Sequence, residues 1–256
     1  MVKRDSSVRI GLVFPDLLGT YGDRGNALVL VERCTRRGVP AELVEVRGGS
    51  AIPDSLDVYL FGGGEDDAQV MASDGMRRSR ASIQRAHDNG AVVFAVCAGF
   101  QLLGETYEAS DGSVLDGLGT IEMDTRSGAP RLIGEVVVAP DEATGLPTLT
   151  GFENHGGRTT LGKSARPLGS VIVGHGNGVG DVDGAVADRI VGTYLHGPAL
   201  PRNPALADYL LEPVIGAAVR VPLDDGLPMA LRAQRLGDAM LTGVAARVRD
   251  WKVNRG

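Results

Sequence analysis

The strongest constraint on the fold is the run Ala91-Val92-Val93-Phe94-Ala95-Val96, six apolar residues bounded by Gly90 and by Cys97-Ala98-Gly99. A run this short without a polar side chain predicts a strand covered on both faces, as in a parallel sheet sandwiched between helices. Val8–Phe14, Asp57–Phe61 and Arg189–Leu195 share that texture, and Ala41–Val46 reads as a further strand. Ala27–Arg37 and Met76–Asn89 have helical spacing, with Gly90 as a C-cap of the second, and Phe100–Glu105 begins another helix. Leu18–Asn26 reads as a loop. The alternation predicts an α/β fold, an open and mostly parallel sheet flanked by helices.

From residue 110 the texture changes. Gly, Pro and Thr rise, and Leu132–Ala139 and Ser170–Val173 predict extra antiparallel strands, with a loop at Asn177–Gly184. Leu206–Ile215 and Met229–Val253 predict helices. No repeat or linker is evident, so a single domain is expected over residues 1–256, with a core of about 8–215 and a C-terminal helical extension over 216–256. Aromatics make up only 4% of the chain against 43% hydrophobic residues, so aliphatic side chains must fill the core. A net charge of −6 without a basic stripe argues against a nucleic-acid partner. Two cysteines, Cys34 and Cys97, make neither a disulfide framework nor a zinc quartet, so no metal is expected and a reducing cytoplasm fits. Met1–Ser7 lacks the apolar core of a signal peptide, and no run approaches the ~18 apolar residues of a membrane span.

The run into Cys97 carries the chemistry. A buried strand delivers the cysteine into a tight turn among small residues, and a helix follows, the context of a nucleophile elbow. A helix N-terminus favours thiolate, so a lowered Cys97 pKa is expected. The Ala98 N–H would face an oxyanion forming on an attacked carbonyl. Gly62-Gly63-Gly64 follows a strand and could aim a second N–H, that of Gly63, at the same point. The alternative for three glycines is a phosphate loop, but no Lys-Ser/Thr pair follows. Cys34, in the polar end of a helix, reads as structural.

A thiol nucleophile needs an imidazole base, and the sequence has four histidines. His87 falls in a surface helix and His175 in a Gly/Asn loop. His196 ends an apolar strand, as Cys97 does, and sites in parallel sheets lie beyond the carboxyl ends of strands. His196 is therefore the preferred base. His155, in the polar cluster Glu153-Asn154-His155-Gly156-Gly157-Arg158, is second.

Together these residues resemble the class I glutamine amidotransferases: a Cys-x-Gly-x-Gln elbow at Cys97-Ala98-Gly99-Phe100-Gln101, the glycine loop at 62–64 and a late histidine, His196. Gly151–Thr159 and Gly192-Thr193-Tyr194-Leu195-His196-Gly197 resemble the cobyric acid synthase type. Within it, Thr20-Tyr21-Gly22-Asp23-Arg24-Gly25-Asn26 and Gly62–Asp66 are most similar to the glutaminase subunits of lipid II isoglutaminyl synthases. The similarity covers roughly residues 8–215. It departs from the usual class I pattern in having Ala95 for the glycine two residues before the cysteine. His196-Gly197-Pro198 also stands where His-x-Glu is usual, which implies a Cys–His dyad. The resemblance implies Arg131 in the glutamine site, where its guanidinium would grip the α-carboxylate; without it, a solvated arginine is as good a reading. It also implies a heteromer in which a MurT-like Mur ligase, carrying ATP and Mg, amidates lipid II with ammonia from this chain. Location would be cytoplasmic, with recruitment to the inner membrane face through the partner or lipid II. Pro198–Pro204 and the C-terminal helix are expected partner surfaces. Corrinoid amidation and a non-catalytic binding role are the alternatives.

Overall fold

The computed structural model describes residues 7–20, 22–237 and 240. Strand β1 (Val8–Val13) leads through a loop to helix α1 (Arg24–Arg36), then to β2 (Ala41–Val46) and β3 (Val58–Phe61). Helices α2 (Asp66–Arg78) and α3 (Arg80–Asp88) precede β4 (Val92–Val96), and the short helix α4 (Ala98–Leu102) follows it directly. The single helix expected over Met76–Asn89 is thus two. The break falls at Ser79, a buried residue whose Oγ accepts the Ile52 N–H (3.1 Å). A serine whose side chain serves a neighbouring loop is a natural joint between two helices.

The next section is antiparallel in the main. It comprises β5 (Thr106–Glu108), β6 (Val114–Asp116), the 18-residue β7 (Met123–Pro140), β8 (Leu149–Leu161), β9 (Gly169–Val173) and β10 (Val182–Asp183). β7 and β8 form a long hairpin with a register shift between Ser127 and Leu132. The chain then returns to the first sheet with β11 (Ala185–Ala187) and β12 (Ile190–Thr193), and closes with α5 (Ala199–Arg202) and α6 (Pro204–Ile215).

The first sheet has the order β11-β12-β4-β3-β1-β2, parallel except for the β11–β12 edge pair. This is the expected α/β architecture. β3 and β4 are buried along their whole length, which explains their unbroken apolar sequence. The second sheet has the order β10-β9-β7-β5-β6, with β8 on β7.

Cys34 is fully buried on α1, as its structural reading requires. Next to it in sequence, Arg33 holds Asp208 of α6 and Asp225 (2.7 and 2.6 Å), and Arg37 shares Asp208 (2.8 Å). These pairs fix the path into a helix over residues 226–237. The expected helix Met229–Val253 begins earlier than predicted, and most of its second half lies outside the described residues. The Pro198–Pro204 segment is not an exposed surface: Ala199, Leu200, Arg202, Asn203 and Pro204 are buried in α5 and the start of α6. Ala199 and Leu200 carry the apolar content that seats it. No described helix is long and apolar enough to cross a membrane.

Candidate active site

β4 and β12 are parallel neighbours with Val96 opposite Thr193, and the Cys97 N–H continues the ladder to the Thr193 carbonyl (2.9 Å). Cys97 therefore lies one residue, and His196 three, beyond the same end of two adjacent strands. Cys97 has φ 51°, ψ −110°, a left-handed conformation costly for a residue with a Cβ. It persists because both sides are fixed. The strand holds its N–H, and its carbonyl receives the Gln101 N–H that starts α4 (2.9 Å). Gly99 donates to the Gly62 carbonyl (3.0 Å), and a Cβ there would stand 2.6 Å from the Phe61 Cβ. The elbow can thus pack on the glycine loop only with glycine at 99. Ala95 replaces the usual glycine without strain, since its partner across the ladder is Gly192.

The thiol is not acidified. Burial pushes the Cys97 pKa up to about 12, and the charge of Asp23 adds to the rise. The Ala98 N–H and the Arg131 charge pull it down by less. The expected lowering is thus overturned: the dipole of a five-residue helix does not offset full enclosure. His196 moves in the opposite sense, down to about 4, first through burial and then through the Arg131 charge. At neutral pH the two groups rest as thiol and neutral imidazole.

His196 lies where the two sheets meet. Its N–H donates to the Phe152 carbonyl (2.8 Å), and it accepts the Phe152 N–H in return (3.1 Å). Two residues further along β8, Asn154 accepts from Arg131 Nε through its side chain (2.6 Å) and from Nη2 through its carbonyl (3.0 Å). One strand thus sets both the base candidate and the arginine whose charge reaches Cys97 and His196.

The other histidines separate clearly. His155 is buried, stacks on Tyr194 (centroids 3.7 Å apart, 15° between planes) and donates through Nδ1 to the Gly157 carbonyl (3.1 Å). Burial holds its pKa down near 3. His175 Nδ1 donates to the fully buried Glu153 (2.8 Å), which also accepts the His175 and Gly176 N–H groups. His87 pairs with Asp188 (3.3 Å) at the opposite end of the sheet, where β4 and β12 begin.

Several supports were not singled out from the sequence. Gln101, the last residue of the elbow motif, donates to the Tyr194 hydroxyl (3.1 Å) and accepts from Gln69 (2.8 Å). Tyr194 also pairs with Thr159 (2.7 Å), and Thr159 with Thr125 (2.8 Å). This enclosed chain of polar groups joins the elbow to the hairpin. Asp23 was also missed. Its Oδ2 accepts the Gly63 N–H (2.7 Å), so the amide expected to meet an oxyanion is committed to a carboxylate. Of the Gly63 and Gly64 amides, that of Gly64 is the one without an acceptor among the described residues. A cavity of about 330 Å³ opens beside His196, lined by Glu135, Phe152, Gly197, Arg202, Leu231 and Arg235. Among the described residues no cluster of His, Cys, Asp and Glu is suited to a metal ion.

A cysteine in a strand–turn–helix elbow and a histidine thus lie at the carboxyl edge of one parallel sheet. The fold is shared by the glutaminase domain of Trypanosoma brucei CTPS, a structure with bound acivicin, with a TM-score of 0.53 at 15% identity, over 85% of this chain and 96% of that one. The sequence narrows the class: this chain belongs to the CobB/CobQ-like glutamine amidotransferase domain family, whose model matches residues 9–204. It is a glutamine amidotransferase. Among similar proteins is the lipid II isoglutaminyl synthase (glutamine-hydrolyzing) subunit GatD of Staphylococcus aureus, 37% identical over 77% of this chain and 80% of that protein. The subunit of the same name from Streptococcus pneumoniae is 35% identical over 78% of this chain and 77% of its own length.

Proposed function

We propose that this chain splits glutamine with Cys97 and His196 and delivers the ammonia to a MurT-like, ATP- and Mg-dependent Mur ligase. That ligase would amidate the D-glutamate of lipid II to D-isoglutamine. The observation that carries the reading is the β4–β12 register, which sets a strained cysteine and a buried neutral histidine at one sheet edge. The similarity to two GatD subunits over more than three quarters of the chain supports the acceptor.

In this scheme Sγ attacks the glutamine δ-carbon while neutral His196 takes the thiol proton. Both pKa values oppose a resting ion pair, so proton transfer accompanies attack. The oxyanion is met by the Ala98 N–H and by an amide of the glycine loop. Imidazolium then protonates the leaving nitrogen, ammonia departs, and a glutamyl thioester remains. Water, deprotonated by His196, releases glutamate. Arg131 holds the substrate α-carboxylate. Neutralising that guanidinium also removes a charge that depresses His196, so bound substrate makes its own base stronger.

Ammonia is mostly protonated at neutral pH, so a sealed path to the ligase is required. The cavity beside His196, with Leu227, Met229 and Leu231 exposed on the adjoining helix, supports that side as the face toward the ligase. The test combines both purified chains with lipid II, ATP and glutamine. Amidation is expected with wild-type protein and lost with Cys97→Ala, while added ammonium restores it. Equal amidation from glutamine with both proteins would overturn the reading.

A further inference from the structure

The Thr20–Asn26 segment has no part in the scheme above, yet it makes four contacts at the site. The Thr20 N–H donates to the Gly63 carbonyl (3.3 Å), and Asp23 Oδ2 accepts the Gly63 N–H (2.7 Å). Asn26 Nδ2 donates to Asp23 Oδ1 (3.2 Å), and Asn26 Oδ1 accepts the Leu200 N–H (2.9 Å), four residues beyond His196. Gly25 lies so close to Pro198 that a Cβ would stand 2.6 Å from its Cγ.

Asp23 occupies the N-cap position of α1, where a carboxylate ordinarily accepts an N–H of the helix's own first turn. It makes no such bond. The side chain instead crosses 40 residues of sequence, is buried, and carries the desolvation penalty of a carboxyl placed away from water. Helix capping therefore does not explain it.

What it fixes is one peptide plane. The carbonyl of the Gly62–Gly63 peptide receives the Gly99 N–H of the elbow, and the N–H on the opposite side of the same trans peptide goes to Asp23. Held at both ends, the plane cannot rotate without losing both bonds. The next peptide is held through its carbonyl by Thr20, which turns the Gly64 N–H away from the segment.

We propose that Asp23 is a positioning residue for the glycine loop: with Asn26 as its brace, it locks the Gly62–Gly63 peptide so that the loop presents Gly64 N–H to the oxyanion, in register with the segment after His196. The proposal rests on the glutaminase reading. Two reagents separate it from a merely structural role. A chloroketone analogue of glutamine is attacked at its carbonyl, forming an oxyanion before Sγ displaces chloride. Iodoacetamide alkylates Sγ by direct displacement of iodide from its methylene carbon, with no oxyanion.

Asp23→Ala is expected to slow inactivation of Cys97 by the chloroketone roughly 10²-fold, the usual cost of losing one oxyanion donor. Alkylation by iodoacetamide should stay level or quicken, because a negative charge near the thiol is gone. Asp23→Asn, which keeps an acceptor for Gly63 N–H, should recover most of the chloroketone rate. Asn26→Ala should show the Asp23→Ala pattern with a smaller effect. A parallel fall with both reagents would reduce Asp23 to a folding role, and faster chloroketone reaction would make its bond to Gly63 a restraint; either overturns the proposal. A wild-type protein that iodoacetamide labels at Cys97 and the chloroketone does not would instead sink the glutaminase reading itself.

Discussion

In β4 every side chain from Val92 to Val96 is buried and apolar, whereas along β8 buried and half-buried residues alternate, and the buried ones include Glu153, His155 and Thr159. The first region places the nucleophile through backbone geometry: a ladder bond, a left-handed Cys97 and a helix that starts at once. The second adds side chains around it, His155 and Thr159 meeting Tyr194, which also accepts from Gln101. Apolar strands are interchangeable supports, and a network of buried polar groups is not, since each member lost leaves a neighbour unsatisfied. The sheet supplies the position and the hairpin the electrostatics.

The largest effect should come from the sheet. Cys97→Ala is expected to lower glutamine hydrolysis by at least roughly 10⁴-fold while leaving the melting temperature nearly unchanged, because alanine keeps the same strained φ. Cys97→Gly should be equally inactive yet more stable, by about 1 kcal/mol or more, since glycine adopts that φ freely. Glutamate release and thermal melts on the same samples check both. A glycine variant less stable than the alanine one would show that the elbow is held by side-chain packing.

Next come the two histidines, one from each region. His196→Ala should cost roughly 10²–10⁴-fold in turnover as loss of a general base. His155→Ala removes the ring under Tyr194 and should act chiefly on stability. If His155→Ala were the more damaging to turnover at equal folded fraction, the base would belong to the hairpin and the division drawn above would fail.

A smaller effect should appear where the regions join. Tyr194→Phe keeps the ring stack with His155 but withdraws the hydroxyl shared by Gln101 and Thr159. A loss of about 1–3 kcal/mol is expected from the buried groups left unpaired, with kcat changed far less than by His196→Ala. Denaturant unfolding measures the first and steady-state kinetics the second.

The same division decided what could be read from the chain. The strands ending at Phe61 and Val96 are off by one at their starts, because a short apolar run that stops at a tight turn has one reading, and Ala41–Val46, though it carries Glu42 and Glu45, matches β2 residue for residue. β8 was seen only as a polar cluster: its period of two is present, but the inward positions hold Glu, His, Gly and Thr, so hydrophobicity does not show it. α2 was missed because its first turn, Asp66-Asp67-Ala68-Gln69, continues a glycine-rich polar stretch. The placement of Cys97 and His196 at one edge of the sheet was legible because each follows an apolar strand. Asp23 was not, since its partner Gly63 lies 40 residues away and its local setting is that of an ordinary N-cap. The Cys97 pKa went the wrong way for a related reason: a helix start is visible in sequence, and complete enclosure is not.

Arg131 is the subtlest test, because it belongs to the hairpin and acts on both sheet-borne groups. Its positive charge lowers the His196 pKa, a contribution second to burial. A general base must be neutral, so kcat/KM falls as pH drops through the His196 pKa of the free enzyme, about 4. Removing the positive charge favours protonation, which raises that pKa and moves the acid limb to higher pH. Arg131→Ala should therefore shift the limb upward by a fraction of a unit, on top of a rise in KM for glutamine of roughly tenfold from the lost carboxylate contact. Arg131→Lys keeps the charge and loses the planar fork, so it should leave the limb near its wild-type position while KM recovers only in part. A pH–rate series on the three proteins separates the two effects. A limb that stays fixed in Arg131→Ala while KM rises would confine Arg131 to binding, and the sheet would then set its base without help from the hairpin.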